Sequence, residues 1–181
     1  PVYLKLFMKK LLTKNWVIFL ILLILAGANS YLFGLSRPQG WGDAIEYSAY
    51  AKNLINLAKY SIDGVNFCSF REPGYPFILF LAYSFFGIET LLSFLAVKIS
   101  QILMLATGGF LAFKILTDFF GRRKMGILAG ILTVLIPYYG YYAGDISTEM
   151  PFAFFLILSF FLILKIIKSH TNIFDFVFLG L

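Results

Sequence analysis

Side chains capable of chemistry are concentrated in three short polar segments that separate long apolar runs. Carboxylates and basic side chains are the residue types that proton transfer and anion binding require. All three segments carry carboxylates, and the second also carries an arginine. The segments are Trp41-Gly42-Asp43 followed by Tyr47, Phe70-Arg71-Glu72-Pro73-Gly74-Tyr75-Pro76, and Asp145-Ile146-Ser147-Thr148-Glu149-Met150-Pro151.

The composition indicates a membrane protein. Hydrophobic residues make up 60% of the 181 residues and charged residues 13%, which is too little charged surface for a soluble domain. The basic residues are dispersed along the flanks of apolar runs, so nucleic acid is not an expected partner. A single cysteine, Cys68, and a single histidine, His170, exclude an internal disulfide and histidine or cysteine metal clusters within the chain.

The apolar runs predict an all-α, polytopic transmembrane protein, because about 20 residues of helix cross the roughly 30 Å of hydrocarbon in a bilayer. The run 73–87 is short for a crossing, and we expect it to be an interfacial or re-entrant helix. Because the chain begins at Pro1 and ends within a new apolar run, we expect it to be the N-terminal part of one transmembrane domain. The predicted spans are 15–35, 91–120, 125–142 and 151–167, with another starting at Ile173 and an outer loop at 36–72.

The distribution of basic residues predicts the orientation. Nine basic residues flank the ends assigned to the cytoplasm, whereas loop 36–72 holds four basic and four acidic residues. The positive-inside rule then places the N-terminus in the cytoplasm and loop 36–72 outside, in the plasma (inner) membrane. If 73–87 does not cross, the turn from Asp145 to Glu149 lies on the same outer face as Asp43.

Within the outer loop, residues 43–60 have the periodicity of an amphipathic helix. Tyr47, Tyr50 and Ala51 belong to one apolar stripe, and the polar residues lie mostly elsewhere. Such a helix, with tyrosines on its apolar side, is expected to rest on the membrane surface.

The order and spacing of these motifs resemble the N-terminal half of GT-C glycosyltransferases. The matching features are an acidic residue in the first outer loop, Glu72-Pro73-Gly74-Tyr75-Pro76 before a short apolar helix, a Phe120-Gly121-Arg122-Arg123 turn, a span containing Pro137 and a Ser147-Thr148-Glu149 turn. The protein O-mannosyltransferases and the lipid A aminoarabinose transferases are the groups that the chain resembles. The resemblance covers about residues 15–168.

The resemblance implies transfer of a sugar from a polyprenyl phosphate to a hydroxyl acceptor on the outer face, the acceptor being a protein, a lipid or a glycan. It implies that Asp43 is the catalytic base and that basic side chains stabilise the phosphate of the leaving group. Arg71 and Lys98 are the candidates for that role. Glu149 corresponds to an acidic residue that orients the acceptor or binds a metal, with Asp145 beside it. Glu72, Tyr75 and Tyr47 complete the substrate loops.

One departure concerns the phosphate contact, because the aminoarabinose transferases have a lysine immediately before the proline, where this chain has Glu72. We therefore expect Arg71 to make that contact. A divalent metal bound by Asp43, Asp145 and Glu149 remains an open alternative, since carboxylates are ligands for hard cations.

Structural roles compete with these assignments. Asp43 and Glu46 have the spacing of a capping box, a role compatible with catalysis. Segment 71–76 has the composition of a turn, and Ser147 or Thr148 is a candidate cap for the following helix. Lys98 lies about two turns inside its span, where it either pairs with an anion or reaches the interface.

A different functional class remains open. A transporter or flippase subunit for a lipid-linked or small anionic substrate would need polar residues at mid-membrane depth. Lys98, Gln101 and Gly108-Gly109 are the only such candidates, whereas the acidic residues cluster at one face. That distribution favours chemistry at the surface.

Overall fold

The computed structural model describes residues 14–34 and 42–168, and within these ranges the chain is helical and contains no strand. The predicted all-α class is therefore confirmed. The helix Leu91–Lys114 continues into a π-helical turn, Ile115–Phe119. The helices are α1 (Asn15–Phe33), α2 (Asp43–Leu57), α3 (Gly74–Phe86), α4 (Leu91–Lys114), α5 (Arg123–Leu135), α6 (Pro137–Ala143) and α7 (Glu149–Ile167).

Three of the described helices are long and apolar enough to cross a membrane: α1, α4 with its π-helical turn, and α7. They correspond to the predicted spans 15–35, 91–120 and 151–167. The predicted span 125–142 consists of two helices, α5 and α6, bent by 56° at Pro137. Helix α3 has 13 residues and is shorter than a crossing requires. The apolar run predicted to start at Ile173 lies outside the described residues.

The break between α5 and α6 is stabilised by a buried side chain of α1. Ile136 is extended, with φ −61° and ψ 119°, as expected for the residue before a proline. The Asn29 amide donates hydrogen bonds of 2.8 Å to the backbone oxygens of Val134 and Ile136. The bond to Val134 satisfies a carbonyl at the break, whereas the Ile136 carbonyl also accepts from the backbone N–H groups of Tyr139 and Gly140. Gly140 makes room for this contact, because an added Cβ would lie 2.5 Å from Asn29.

Helix α4 packs against α1, α5 and α7 and forms the centre of the bundle. The buried core here includes Leu22 of α1, Ala106 and Phe113 of α4, and Val134 of α5. Small residues allow close helix contact: a Cβ on Gly109 would lie 2.6 Å from Val134, and one on Gly126 would lie 2.7 Å from the Phe113 oxygen. These glycines therefore have packing roles.

A second core joins α2, α3 and the first part of α4. Tyr47 and Ala51 of α2 are buried against α3 residues that include Tyr75 and Leu79. Protein therefore covers this part of the stripe, and the placement of the helix at the membrane surface stays a prediction. Helix α2 also ends at Leu57, three residues before the predicted end, since Ala58 adopts a left-handed conformation with φ 50°.

Different segments meet at the two ends of the bundle. At one end, Arg123 donates a hydrogen bond of 3.1 Å to Asn15 at the start of α1, and Lys168 donates one of 2.7 Å to the Asp118 backbone. At the other end, Gly34 after α1 lies against Gly144. The core residue Ile146 contacts α2 and α3, so the turn 144–148 lies at the same end of the bundle as Asp43.

Candidate functional site

The central feature of the candidate site is an arginine bound by two carboxylates. Asp43 and Glu46 lie three residues apart in the first turn of α2 and therefore share one face of the helix. Arg71, which precedes α3, contacts both: its Nη2 lies 2.5 Å from Asp43 Oδ1 and its Nε lies 2.6 Å from Glu46 Oε2. Neither carboxylate caps the helix, because the N-cap is Gly42 and no side-chain cap bond forms. The capping-box alternative is therefore wrong.

Aromatic side chains and a backbone contact hold the Arg71 segment in place. The guanidinium lies 5.3 Å from the centre of the Tyr47 ring and 5.1 Å from that of Phe70, within the range of cation–π contacts. The Tyr60 hydroxyl donates a 2.7 Å hydrogen bond to the Arg71 backbone oxygen. Burial, reinforced by neighbouring Tyr50, raises the pKa of Tyr60 to about 12, so this hydroxyl remains a donor at neutral pH.

The ion pairs leave part of the guanidinium without a partner. Nε and Nη2 form one edge of the planar group and are occupied by Glu46 and Asp43. Nη1 makes no hydrogen bond to any residue in the described ranges. The hydrogen bond to Glu46, followed by that to Asp43, raises the pKa of Arg71, so the arginine remains charged. The cluster can therefore present a fixed cation to a further anion.

A buried network attaches the turn 144–148 to α3 and α4. The Tyr75 hydroxyl accepts a hydrogen bond of 2.9 Å from the Ser147 backbone N–H and donates one of 3.1 Å to Gln101 Oε1. Gln101 Nε2 in turn donates to the backbone oxygens of Asp145, at 2.6 Å, and Ala143, at 3.3 Å. Tyr75 is therefore a structural link between elements and is buried, not a residue open to substrate. The Gln101 amide is likewise used for structure.

The remaining predicted residues occupy different environments. Lys98 is only 5% exposed and makes no hydrogen bond or salt bridge with the described residues; the acidic group whose charge acts on it is Asp145. Neither the ion pair nor the reach to the interface considered for Lys98 is confirmed by these contacts. Asp145 Oδ1 accepts a 2.8 Å bond from the Ile146 N–H. Glu149 begins α7 and is exposed, and neither Thr148 nor Ser147 caps this helix through its side chain.

The structure therefore brings the predicted residues into two adjoining groups. Asp43, Arg71 and Tyr47 form the first; Tyr75, Asp145 and Lys98 belong to the second. The groups meet where the Tyr47 and Tyr75 rings pack edge to face, with 5.2 Å between the ring centres.

Two of the predicted positions within the described residues lie outside these two groups. Glu72 and Glu149 are exposed, and no described hydrogen bond links either of them to the groups. Trp41 lies outside the described residues.

The described residues do not form a metal site of the kind considered above. No group of three or more aspartate, glutamate, histidine or cysteine residues within 14–34 and 42–168 is arranged to hold a metal ion. Asp43, Asp145 and Glu149 thus do not form a joint ligand set in this structure.

Sequence reasoning missed a second polar cluster on the opposite flank of α2. Ser48 donates a 2.7 Å hydrogen bond to Glu89, Lys52 forms a 2.9 Å salt bridge with the same carboxylate, and the Tyr83 hydroxyl lies 3.0 Å from Ser48. The cluster borders a cavity of about 400 Å³ that Ile146 also lines. The hydrogen bond from Ser48, followed by that from Lys52, lowers the pKa of Glu89. The spacing of Ser48 and Lys52 does not indicate that both side chains bind Glu89, which lies about 40 residues away in the sequence.

No protein-family model matches the chain, and no curated protein or solved structure is significantly similar to it. The interpretation of the site therefore depends on its own geometry and chemistry.

Proposed function

We propose that this chain is the donor-side part of a polytopic GT-C-type glycosyltransferase. In this proposal it transfers a sugar from a polyprenyl phosphate to a hydroxyl acceptor on the outer face of the plasma membrane. The observation that carries the proposal is the contact between Asp43 and Arg71, because it places a carboxylate base and an anion-binding cation next to each other. Sugar transfer from a lipid phosphate needs both groups at one place.

The two groups have complementary roles in the reaction. Asp43 accepts the proton of the acceptor hydroxyl while that oxygen attacks the anomeric carbon. The new carbon–oxygen bond forms as the bond from the anomeric carbon to the phosphate oxygen breaks, and its electron pair leaves with the polyprenyl phosphate. Arg71 stabilises the charge on the departing phosphate. Attack from the side opposite the phosphate inverts the anomeric configuration.

The exposure of the two side chains agrees with these roles. The Asp43 side chain is 62% exposed, which leaves the carboxylate open to an acceptor, whereas Arg71 is 21% exposed and contacts two aromatic rings. A base has to meet a mobile acceptor, while an anion-binding group gains from being fixed before the substrate arrives. Lys98 and Asp145 lie in the neighbouring group and would contribute charge near the headgroup of the donor.

The test is sugar transfer by the full-length protein in proteoliposomes, with a polyprenyl-phosphate-linked sugar as donor. Asp43→Asn keeps the size of the side chain and a hydrogen-bond acceptor for Arg71 but removes the base. We expect transfer to fall by about 100-fold or more. Asp63→Asn is the matched control, because it removes one negative charge from the same loop, where Asp63 accepts local hydrogen bonds from Ser61, Val65 and Asn66.

Transfer by Asp43→Asn at the level of Asp63→Asn would contradict the assignment of the base. Accumulation of substrate in vesicles without formation of a product would favour the transporter or flippase alternative.

A further inference from the structure

We propose that Glu46 is a positioning residue for the transfer reaction: it holds Arg71 by its Nε so that one guanidinium contacts Asp43 and presents its remaining edge to the phosphate of the donor. This inference rests on the proposed function and adds to it a residue for which the sequence suggested only a capping role. The arrangement of the three side chains carries it.

The two carboxylates bind different nitrogens of the Arg71 guanidinium. Glu46 binds Nε at 2.6 Å, and Asp43 binds Nη2 at 2.5 Å, so the two share one edge of the guanidinium. The edge formed by Nη1 and the second N–H of Nη2 has no partner among the described residues. A phosphate has two oxygens at the spacing of that edge and can be bound there by two parallel hydrogen bonds. Neither carboxylate contact has to break for this to happen.

Removal of Glu46 would change what Asp43 can do. With Nε free, the Asp43 carboxylate can bind Nε and Nη2 together in a bidentate ion pair. A carboxylate held in this way has fewer lone pairs available for a hydroxyl proton. Glu46 therefore keeps Asp43 in a single contact with Arg71 and leaves its second oxygen for the acceptor.

Exposure supports this division of roles. The Glu46 side chain is 33% exposed and Asp43 62%, so Glu46 is the more enclosed of the two partners. The enclosed carboxylate is suited to hold the arginine, and the open one to meet a substrate.

The experiment measures two quantities on the full-length protein: the affinity for undecaprenyl phosphate without turnover, with undecaprenol as the reference lipid, and kcat for sugar transfer. The neutral amide oxygen of Glu46→Gln binds Nε less strongly than a carboxylate, so that Asp43 can displace it; we expect kcat to fall about tenfold, as for a displaced catalytic group, while the Kd for undecaprenyl phosphate stays within about threefold. Glu46→Asp retains the charge with a shorter reach, and we expect a smaller fall in kcat. Glu89→Gln is the matched control, because Glu89 contacts the opposite flank of α2; we expect kcat and Kd to match those of the wild type.

The outcomes separate this inference from the proposed function. Wild-type protein that binds undecaprenyl phosphate no better than undecaprenol and transfers no sugar would refute the proposed function. The positioning role is overturned if the wild type binds and transfers while Glu46→Gln keeps its kcat within twofold. It is also overturned if Glu46→Gln loses kcat and phosphate affinity together to the level of Arg71→Gln, since Glu46 would then only support the fold. Should Glu46→Gln fail to fold, the same criteria apply to Glu46→Asp.

Discussion

Replacing Tyr75 with phenylalanine tests the link between the α2–α3 layer and the turn 144–148. The change removes only the hydroxyl, which accepts from the Ser147 N–H at 2.9 Å and donates to Gln101 at 3.1 Å. A buried group left without its partner costs about 1–3 kcal/mol. The Ser147 N–H and Gln101 Oε1 both lose their partner, but the Gln101 amide can form other hydrogen bonds. We therefore expect the free energy of unfolding to fall by about 2–4 kcal/mol. On the scale of soluble chains of this length, the thermal midpoint falls by roughly 5–15 °C.

Thermal unfolding of the full-length protein in detergent, followed by tryptophan fluorescence, measures this loss. Tyr83→Phe is the matched control: it removes another buried tyrosine hydroxyl from α3, one that contacts only Ser48 at 3.0 Å, and Ser48 keeps its bond to Glu89. We expect the control to lose about 1 kcal/mol. A midpoint for Tyr75→Phe equal to that of Tyr83→Phe or of the wild type would refute the bridging role of Tyr75.

Two further predictions concern other parts of the fold. Gly140→Ala places a Cβ 2.5 Å from Asn29, so we expect about 1–3 kcal/mol of destabilisation in thermal unfolding, whereas Gly27→Ala, with open space around its Cβ, should be neutral or slightly stabilising; equal midpoints would contradict the packing assigned to Gly140. Because folding lowers the pKa of Glu89, its contribution to stability is present above about pH 4.3, the ordinary glutamate value, and is lost as the pH falls through the lower folded value. The thermal midpoint of the wild type should therefore fall more between pH 6 and pH 3.5 than that of Glu89→Gln, and parallel pH profiles would contradict the coupling.

The pairing of Asp43 with Arg71 has a consequence for the catalytic cycle. In the structure, both charges that the reaction would use are satisfied by each other. The salt bridge contributes little to stability at this exposure, and a substrate phosphate can bind the other edge of the guanidinium while the contact with Asp43 is kept. The salt bridge thus holds the Asp43 carboxylate and the Arg71 guanidinium next to each other until the donor and the acceptor are bound.

The helices that the sequence predicted well were those with long apolar runs and clear ends. The spans near 15–35, 91–120 and 151–167 agree with helices of the structure, because about 20 apolar residues have few alternatives to a long helix. The stabilisation of the break at Pro137 could not be predicted, because Asn29, which donates to the carbonyls on its N-terminal side, lies more than 100 positions away. The packing of α2 against α3 could not be predicted for a related reason: an amphipathic stripe shows that a helix is covered, but not whether lipid or protein covers it.

Within the candidate site, residue types were predicted but partners were not. Asp43 and Arg71 were named separately as base and phosphate contact, and their direct contact depends on the packing of α2 against α3. Glu46 was assigned to capping because local spacing favours it, and the arginine that it binds lies 25 residues away. Tyr75 was assigned to the substrate loop, yet it is buried and joins three elements. Tertiary contacts decide each of these roles.

Accessibility labelling decides most directly whether the Asp43 loop and the 144–149 turn form one site on one face of the membrane. Single cysteines at Asp43, Glu149 and Lys124, in a Cys68→Ser background, are treated with a membrane-impermeant maleimide in sealed vesicles of known orientation. We predict that Asp43→Cys and Glu149→Cys react from the outside, whereas Lys124→Cys reacts only after the vesicles are opened. Labelling of Asp43→Cys and Glu149→Cys from opposite sides would contradict a shared site and, with it, the proposed sugar transfer.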